Sequence, residues 1–345
     1  MRSLLAGMVV FSTLTHGPPA MAVESVGVTT ISLTAPDRGR ELTVTLWYPA
    51  QPGGRPVLVG DNAVFEGVEG QENAPIADGR FPTVLVSHGG LRSAPNLSGW
   101  IGSRLAAQGF LVATVQAQRL WPGNAERAVA EIWQRPADLS TALTALAEDP
   151  QWSSHMNLEQ VAALGFFLGG TSVLSLAGGR LKADDFVRSC ESGGHGLDCA
   201  WFAANGADLR GVDVGSLTRS NLDPRVSAAI AVDPEYSTSF SAESLAEIAI
   251  PVEIINLGRP EAIPPGLNAA ALESASPHFA YTAVSNATRF SAFSLCKPQG
   301  AAILVEDGED DAICRDDTGE SRASVHQELA VLIADYLRQH LLSAP

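Results

Sequence analysis

Short apolar runs separated by polar segments predict a succession of strands and helices along most of the chain. Residues 26–33 and 42–48 alternate apolar and polar side chains on either side of the turn-forming segment 35–39, which predicts an N-terminal antiparallel pair. Continuous apolar runs then follow, and such runs are typical of strands buried on both faces of a sheet. These runs are 83–86, 111–115, 161–165, 228–232 and 252–255, with a further strand expected at 279–284.

Helical segments are expected between these strands, at 97–108, 137–147 and 168–177. Strand, helix and strand in succession predict an α/β fold with a mostly parallel central sheet and helices on both faces. The last segment is an amphipathic helix that lies on this sheet, because its apolar positions recur every three or four residues. Those positions are Val325, Leu329, Leu332, Tyr336 and Leu337.

One long segment breaks the alternation. Residues 178–223 are rich in Gly, Ser, Asp and Cys and show no sustained periodicity. A connection of that length is uncommon unless it is functional. We therefore expect an insertion, or lid, over the active-site edge of a single domain that spans residues 23–345.

The N-terminus has the pattern of a secretory signal. A basic residue, Arg2, precedes the apolar run 4–14, and the small-residue triplet Ala20-Met21-Ala22 follows. We expect cleavage of residues 1–22 and a periplasmic or secreted protein. Neither this run nor any later stretch reaches the ~20 apolar residues that a membrane span requires.

Composition narrows the range of partners. Of the 345 residues, 46% are hydrophobic, which suits a globular domain. The formal net charge is −16 and the chain has no run of Lys or Arg. Nucleic acid and anionic membranes require basic patches, so we expect neither as a partner.

The four cysteines form two pairs that are local in sequence: Cys190 with Cys199, and Cys296 with Cys314. An even number of cysteines in an exported chain predicts disulfides within these pairs. Nothing indicates a metal site or any other cofactor. The cysteines lack C-x-x-C spacing, His195 is the only histidine near them, and the acidic segment 306–311 does not match an EF-hand loop.

The run 161–165 continues directly into a helix through Gly165, Phe167 and Gly169, and this is the frame of the G-x-S-x-G nucleophile elbow. The geometry requires small residues on both sides of the central one, because that residue sits on a strained turn that brings the neighbouring backbones together. The central residue here is Phe167. A phenyl side chain has no nucleophilic atom and cannot form an acyl intermediate.

Further motifs occur in a fixed order around this frame. They are Val84-Leu85-Val86-Ser87-His88-Gly89-Gly90, the segment 105–112, Arg135-Pro136-Ala137-Asp138-Leu139, Val232-Asp233-Pro234 and Cys296-Lys297-Pro298. In order and frame the chain resembles the α/β-hydrolase superfamily, and within it the bacterial dienelactone hydrolase-like and platelet-activating-factor acetylhydrolase-like group. The resemblance covers most of the chain, and it places 135–139 at the entry to a helix.

The resemblance also implies roles for individual residues. Phe167 occupies the position of the nucleophilic serine, Asp233 matches the triad acid, and Arg289 stands in the slot of the catalytic histidine. Glu261 is the alternative acid, because many hydrolases place the acid after the next strand. His278 is the alternative base, although it precedes its strand and six residues would separate it by ~20 Å from the catalytic edge. The oxyanion loop and pocket would be formed by His88, Gly89, Gly90, Leu91 and Leu168.

Two geometric expectations follow. The ring of Phe167 should point into the cleft and block the oxyanion hole. Arg289 should form an ion pair with Asp233, since an arginine can meet a carboxylate through two parallel N–H bonds. The leading interpretation is an exported pseudo-hydrolase that binds a small acyl or ester-like ligand or a protein partner. The alternative is an active carboxylic-ester or lactone hydrolase with an unrecognised nucleophile or base, and a purely structural protein is the third possibility.

Overall fold

A ten-stranded, mostly parallel sheet lies at the centre of the described part of the protein. The structure, a computed structural model, describes residues 25–90, 97–116, 125–191 and 198–342. The predicted signal peptide, Leu91 and His195 lie outside these ranges. The strands are β1 (Ser25–Ala35), β2 (Arg40–Ala50), β3 (Arg55–Val59), β4 (Val68–Glu72), β5 (Phe81–Ser87), β6 (Leu111–Val115), β7 (Met156–Phe166), β8 (Ala228–Val232), β9 (Val252–Leu257) and β10 (Phe279–Val284).

The strands follow the order β10-β9-β8-β7-β5-β6-β2-β1-β4-β3 across the sheet. The six strands from β5 to β10 pair in parallel, and β1 and β2 form an antiparallel pair that adjoins β6. The turn between β1 and β2 closes at Gly39, whose φ of 62° is a left-handed conformation that favours glycine. The predicted antiparallel pair and parallel sheet are therefore confirmed.

Sequence patterns located the buried strands better than the exposed ones. The bounds predicted for β6, β8 and β10 agree with the structure, whereas β3 and β4 were not predicted. Both missed strands are short. The sequence Val-Glu-Gly-Gln-Glu of β4 is polar, and β3 has no fully buried residue. Their strand conformation depends on pairing with each other and with β1 rather than on an apolar run.

Helices cover both faces of the sheet. They are α1 (Gly99–Ala106), α2 (Ala125–Glu148), α3 (Pro150–Ser153), α4 (Leu168–Leu176), α5 (Ala183–Ser189), α6 (Cys199–Ala204), α7 (Val214–Thr218), α8 (Ala242–Ala246), α9 (Gly300–Glu306) and α10 (Arg322–Leu337). One expectation is wrong: 135–139 is not the entry to a helix, because α2 begins ten residues earlier and Pro136 lies inside it. No helix in the described ranges is long and apolar enough to cross a membrane.

The alternation of side chains along the parallel strands produces two apolar layers. On one face Leu85 packs in a cluster with residues of α2 and α4, such as Leu139 and Val173. On the other face Val84 and Val86 pack with residues of α1 and α10. Because both faces are covered, the central strands appear in the sequence as continuous apolar runs. This arrangement leaves the carboxyl edge of the sheet to carry the loops described below.

The insertion contains α5, α6 and α7, each of five to seven residues. Cys190 is linked to Cys199 within it, and Cys296 is linked to Cys314 before α10, so both predicted disulfides are confirmed. Asp198, at the start of α6, reaches the glycine loop after β5, where it lies 3.5 Å from the position that a Cβ on Gly90 would occupy. The insertion thus covers this edge of the sheet.

Reduction of the disulfides is expected to loosen these peripheral segments before the sheet. The bonds close loops of 9 and 18 residues. In the loop-entropy model such loops contribute about 2.5 to 3 kcal/mol each, and the central sheet does not contain them. Hydrogen exchange with and without reductant should show faster exchange first in 183–218 and 296–314. Simultaneous loss of protection in β5–β8 would contradict this expectation.

Candidate active site

The connection from β7 to α4 has the backbone of a strained elbow. Phe167, between the two elements, has φ 57° and ψ −122°, a conformation that costs about 1 to 3 kcal/mol for a residue other than glycine. Its flanking glycines are necessary. A Cβ on Gly165 would lie 2.0 Å from the carbonyl oxygen of Gly169, and one on Gly169 would lie 2.0 Å from the carbonyl oxygen of Ser87. The elbow geometry is therefore present, and its tip bears a phenyl ring.

The ring of Phe167 is buried and contacts other aromatic rings. The residue is only 4% exposed and belongs to one of the two apolar clusters. Its ring centroid lies 5.8 Å from that of Phe293 and 6.2 Å from that of His88. The side-chain atoms within 4 Å of the position that a Cβ on Gly90 would occupy belong to Glu235 and Asp198. The phenyl ring thus packs into an aromatic cluster, and the group beside the oxyanion loop is a carboxyl.

The glycine loop after β5, which contains Gly89 and Gly90, is held by hydrogen bonds from α2. Arg135 donates to the carbonyl oxygens of Gly89, at 2.6 Å, and Gly90, at 2.9 Å. The N–H of Gly89 donates to the carbonyl oxygen of Phe166 at 3.1 Å, which ties the loop to the end of β7. Both carbonyl oxygens therefore point towards α2, and the loop has the fixed backbone that an oxyanion site requires. Leu91, the remaining predicted oxyanion residue, lies outside the described residues.

A buried ion network anchors Arg135 in turn. Arg38, in the turn between β1 and β2, contacts Glu131 at 2.5 Å and Asp138 at 2.5 Å, and Glu131 also accepts from Arg135. Burial acts to raise the pKa of both acids. For Glu131 the two arginines outweigh burial and the pKa falls, whereas for Asp138 burial prevails and the pKa rises. The network connects the first hairpin to the glycine loop.

Asp233 directly follows β8, and its carboxyl is buried. Its Oδ1 accepts from Asn256 Nδ2 at 2.7 Å and from the Leu257 N–H at 2.9 Å, whereas Oδ2 has no hydrogen-bond partner among the described residues. Burial raises the pKa of the Asp233 carboxyl to about 7, against those hydrogen bonds and the positive charge of Arg289. One oxygen is thus fixed to β9 and the other is uncommitted, which is the arrangement an acid needs if it is to orient a base.

The predicted ion pair between Arg289 and Asp233 is wrong. Arg289 begins the 3-10 turn Arg289–Ala292 after β10, and its guanidinium carbon lies 4.6 Å above the ring of Phe290. Its charge acts on the Asp233 carboxyl, yet no hydrogen bond joins the two side chains. The physical reason is that Oδ1 is already bound to β9, while the guanidinium stacks on the neighbouring aromatic ring instead.

The two alternative residues lie apart from the elbow. His278 is exposed and precedes β10, where its carbonyl oxygen accepts from the first residue of β9. It therefore lies at the amino edge of the sheet, opposite the elbow. Glu261 is at the carboxyl edge but is exposed, and it pairs with Arg259 at 3.5 Å. The structure brings together Phe167, Asp233, His88, Gly89 and Gly90, and it leaves His278 at the other end.

His88 is a neutral imidazole beside the elbow. Its Nε2 lies 2.9 Å from the carbonyl oxygen of Ala292, so Nε2 carries the proton, and the buried Nδ1 has no partner in the part of the chain that the structure describes. Burial lowers the pKa of His88 to about 4. The carbonyls of the turn after β10 are held further by Trp100, which donates to Ala292, and by His326, which contacts Ser291 and Phe293. These rings fix the turn that carries Arg289.

Sequence reasoning missed a buried acid pair at this edge. Glu235 is 1% exposed and its Oε1 lies 3.0 Å from the position of a Cβ on Gly90. Its carboxyl is hydrogen-bonded to that of Asp198, which requires a shared proton. Burial and then the charge of Asp198 raise the pKa of Glu235 well above its ordinary value. The sequence signal for this pair was weak: it was an acidic residue two positions after Asp233. The sequence did not show that Glu235 is buried, because its burial depends on the insertion.

Several buried polar atoms without hydrogen-bond partners belong to residues of this site. Among the described residues these include His88 Nδ1, Asp233 Oδ2 and Glu235 Oε2. A buried polar atom without a partner carries a desolvation cost and is uncommon in folded proteins. The edge is therefore lined by acceptors and has no serine, cysteine or threonine hydroxyl at its tip. No cluster of three or more His, Cys, Asp or Glu side chains able to hold a metal occurs in the described ranges.

Solved structures share this architecture. The chain is similar to a ferulic acid esterase from Streptomyces cinnamoneus, with a TM-score of 0.60 and 17% sequence identity, over 95% of this chain and 93% of that one. No family model matches the sequence, and no curated protein matches it. At this identity the similarity concerns the fold. Together with the sheet order and the elbow backbone, it shows that the chain has the α/β-hydrolase fold.

Proposed function

We propose that the protein is a pseudo-hydrolase related to the carboxylic-ester and lactone hydrolases, with its serine mechanism lost and a ligand- or partner-binding role retained. The observation that carries this proposal is Phe167 at the tip of the strained elbow. The backbone at Phe167 has the strained conformation of a nucleophile elbow. The phenyl side chain, however, has no atom that can attack a carbonyl. A hydrolase of this type cannot form its acyl-enzyme here.

The absence of a base at the expected place supports the same conclusion. Arg289 stands in the loop after β10, and an arginine guanidinium has N–H donors but no acceptor atom. It cannot take a proton from a serine or from water. Loss of the nucleophile or the base alone typically removes about 10⁶ in rate from a serine hydrolase. Asp233, by contrast, keeps a free buried oxygen.

We also propose a family group, a ligand class and a cellular location for the protein. The motif order favours the dienelactone hydrolase-like and acetylhydrolase-like group, and a small acyl or ester-like molecule is the ligand that such a pocket would accept. The signal pattern over residues 1–22 favours export to the periplasm or the medium, and two disulfides suit that location. Intact-mass measurement of the protein made in a bacterial host should give a mature chain that begins near Val23. An uncleaved chain would contradict export.

A short-chain p-nitrophenyl ester assay tests the central proposal. The wild-type protein and Phe167→Ala should both hydrolyse the ester no faster than buffer. Phe167→Ser alone should add almost nothing, because no base is in place, whereas Phe167→Ser with Arg289→His should exceed either single change by about tenfold or more, since general-base catalysis contributes about 10² or greater when well positioned. The histidine would stand in the loop after β10, at a position from which the charge of Arg289 already acts on the Asp233 carboxyl.

Two results of the ester assay would contradict these expectations. Wild-type turnover that disappears in Asp233→Asn, or in any variant of the elbow loops, would overturn the loss of function. Comparable activity from Phe167→Ser alone would show that a base is already present. The structure makes His88, with its unpartnered Nδ1, the candidate in that case rather than His278, which lies at the opposite edge of the sheet. A further change of His88 to glutamine would then remove the activity.

A further inference from the structure

A cavity of about 670 Å³ opens at the carboxyl ends of β9 and β10, and its described lining does not include Phe167. Three segments form it: the loop after β9, the turn after β10, and the chain around the second disulfide. Its apolar lining includes Leu257, Ala262, Pro264 and Ala287, and its volume is in the range that small organic ligands occupy. Its charged lining residues are Arg259, Arg289, Arg315 and Asp317.

The three arginines differ in what they already bind. Arg259 pairs with Glu261 at 3.5 Å, and Arg315 pairs with Asp311 at 2.5 Å. Arg289 is half-buried, and within the described ranges no side chain or carbonyl accepts a hydrogen bond from it. Its guanidinium stacks on the ring of Phe290. A guanidinium stacked on a ring keeps its N–H edge available. Arg289 is therefore the uncommitted cation of this cavity.

The turn that carries Arg289 is held in place. Thr288 caps it through a reciprocal pair of hydrogen bonds with Ser291, and the carbonyl of Ala292 accepts from both His88 and Trp100. The opposite wall is fixed by Arg322, which donates to the carbonyl oxygen of Ile313 next to the disulfide Cys296–Cys314. A cation on a fixed backbone beside an apolar wall loses little entropy when it binds an anion.

We propose that this cavity binds an organic monoanion, a carboxylate attached to an apolar or aromatic body, with Arg289 as its anchor. The planar guanidinium matches a carboxylate through two parallel N–H bonds. Two of the three arginines are already paired, and Asp317 adds a negative charge to the lining. The cavity therefore suits a ligand with one negative charge better than a ligand with two. The net charge of −16 does not prevent this, because screening at physiological salt limits charge effects to about 8 Å. The inference deepens, and rests on, the ligand-binding part of the proposed function.

Equilibrium titration of the disulfide-intact protein with benzoate, and with uncharged benzamide as the matched probe, tests the proposal. Benzoate should bind, and benzamide should bind at least about tenfold more weakly, because a charge-assisted pair is worth that much. Arg289→Gln should weaken benzoate by about tenfold or more, and Arg289→Lys by less. Asp317→Asn should strengthen benzoate, since it removes a like charge. Arg188→Gln, an exposed change on α5, should leave benzoate binding unchanged.

Three outcomes would overturn the proposal: no benzoate binding by the folded wild type, equal loss in Arg289→Gln and Arg188→Gln, or tighter binding of inorganic phosphate than of benzoate. Thermal melting of each variant identifies any change that merely unfolds the protein, and Arg289→Lys then provides the second test of the anchor. The ester assay on the same preparation separates this inference from the proposed function. Hydrolysis would refute the pseudo-hydrolase whatever the titration gives, and absent binding without hydrolysis would refute the anion site alone.

Discussion

Gly169→Ala is expected to destabilise the protein by about 3 kcal/mol or more. The added Cβ would lie 2.0 Å from the carbonyl oxygen of Ser87 and 2.6 Å from its carbonyl carbon. Both atoms belong to the backbone of β5, which is buried between β6 and β7 and cannot move aside as a side chain could. The midpoint of urea unfolding at pH 7 measures the loss.

Gly211→Ala is the matched control. A Cβ at Gly211 meets no atom within 4 Å, and the residue is exposed in a short 3-10 turn of the insertion. Its effect should stay within about 0.5 kcal/mol. If the two variants unfolded at similar urea concentrations, the close crossing between the elbow and β5 would not be present in solution. The result matters for function, because this crossing holds the elbow in its nucleophile-type geometry although Phe167 occupies the tip.

Glu235→Gln is expected to stabilise the protein at pH 8, by on the order of 1 to 3 kcal/mol, and by much less at pH 5. In the folded protein the pKa of Glu235 is raised well above its ordinary value, first by burial and then by Asp198. Between the unfolded pKa of about 4.3 and the raised folded pKa, the folded state retains a proton that the unfolded state has released. Stability therefore falls as the pH rises through that window.

Glutamine keeps the shape and a hydrogen-bond donor for Asp198 but has no proton to lose, so the variant should lack this part of the decline. Other groups facing Glu235 are Arg135, which lowers its pKa, and Tyr236, whose own pKa is raised by burial and by the acid pair. Asp233, with a pKa of about 7, adds a similar decline to both proteins, and comparison of the two cancels it. Urea unfolding at pH 5 and pH 8 measures the difference.

Glu247→Gln is the control for charge removal as such, because its carboxyl is exposed and pairs with Arg180 on the surface. It should move the unfolding midpoint little at either pH. Equal destabilisation by Glu235→Gln at both pH values would mean that the native state needs the carboxylate itself, for instance to pair with Arg135. The proton shared with Asp198 would then not exist, and the insertion would be held to the glycine loop by another contact.

Sequence patterns were sufficient to predict the central parallel strands and the frame of the site. Buried parallel strands are apolar on both faces, so β6, β8 and β10 could be located to the residue, and the glycines around Phe167 marked the elbow because only they fit its crowded backbone. The disulfides also followed from the sequence, because each joins cysteines that are close along the chain. All these features depend on local patterns.

Tertiary structure decided what surrounds the elbow. Glu235 and Asp198 are 37 positions apart, and only the insertion brings them together beside Gly90. Arg289 and Asp233 are likewise kept from pairing by contacts with other residues. Asn256 and Leu257 donate hydrogen bonds to the Asp233 carboxyl, and the guanidinium of Arg289 stacks on Phe290. These side-chain positions depend on burial and on competition for hydrogen bonds between loops from distant parts of the chain. Local sequence periodicity cannot predict either effect.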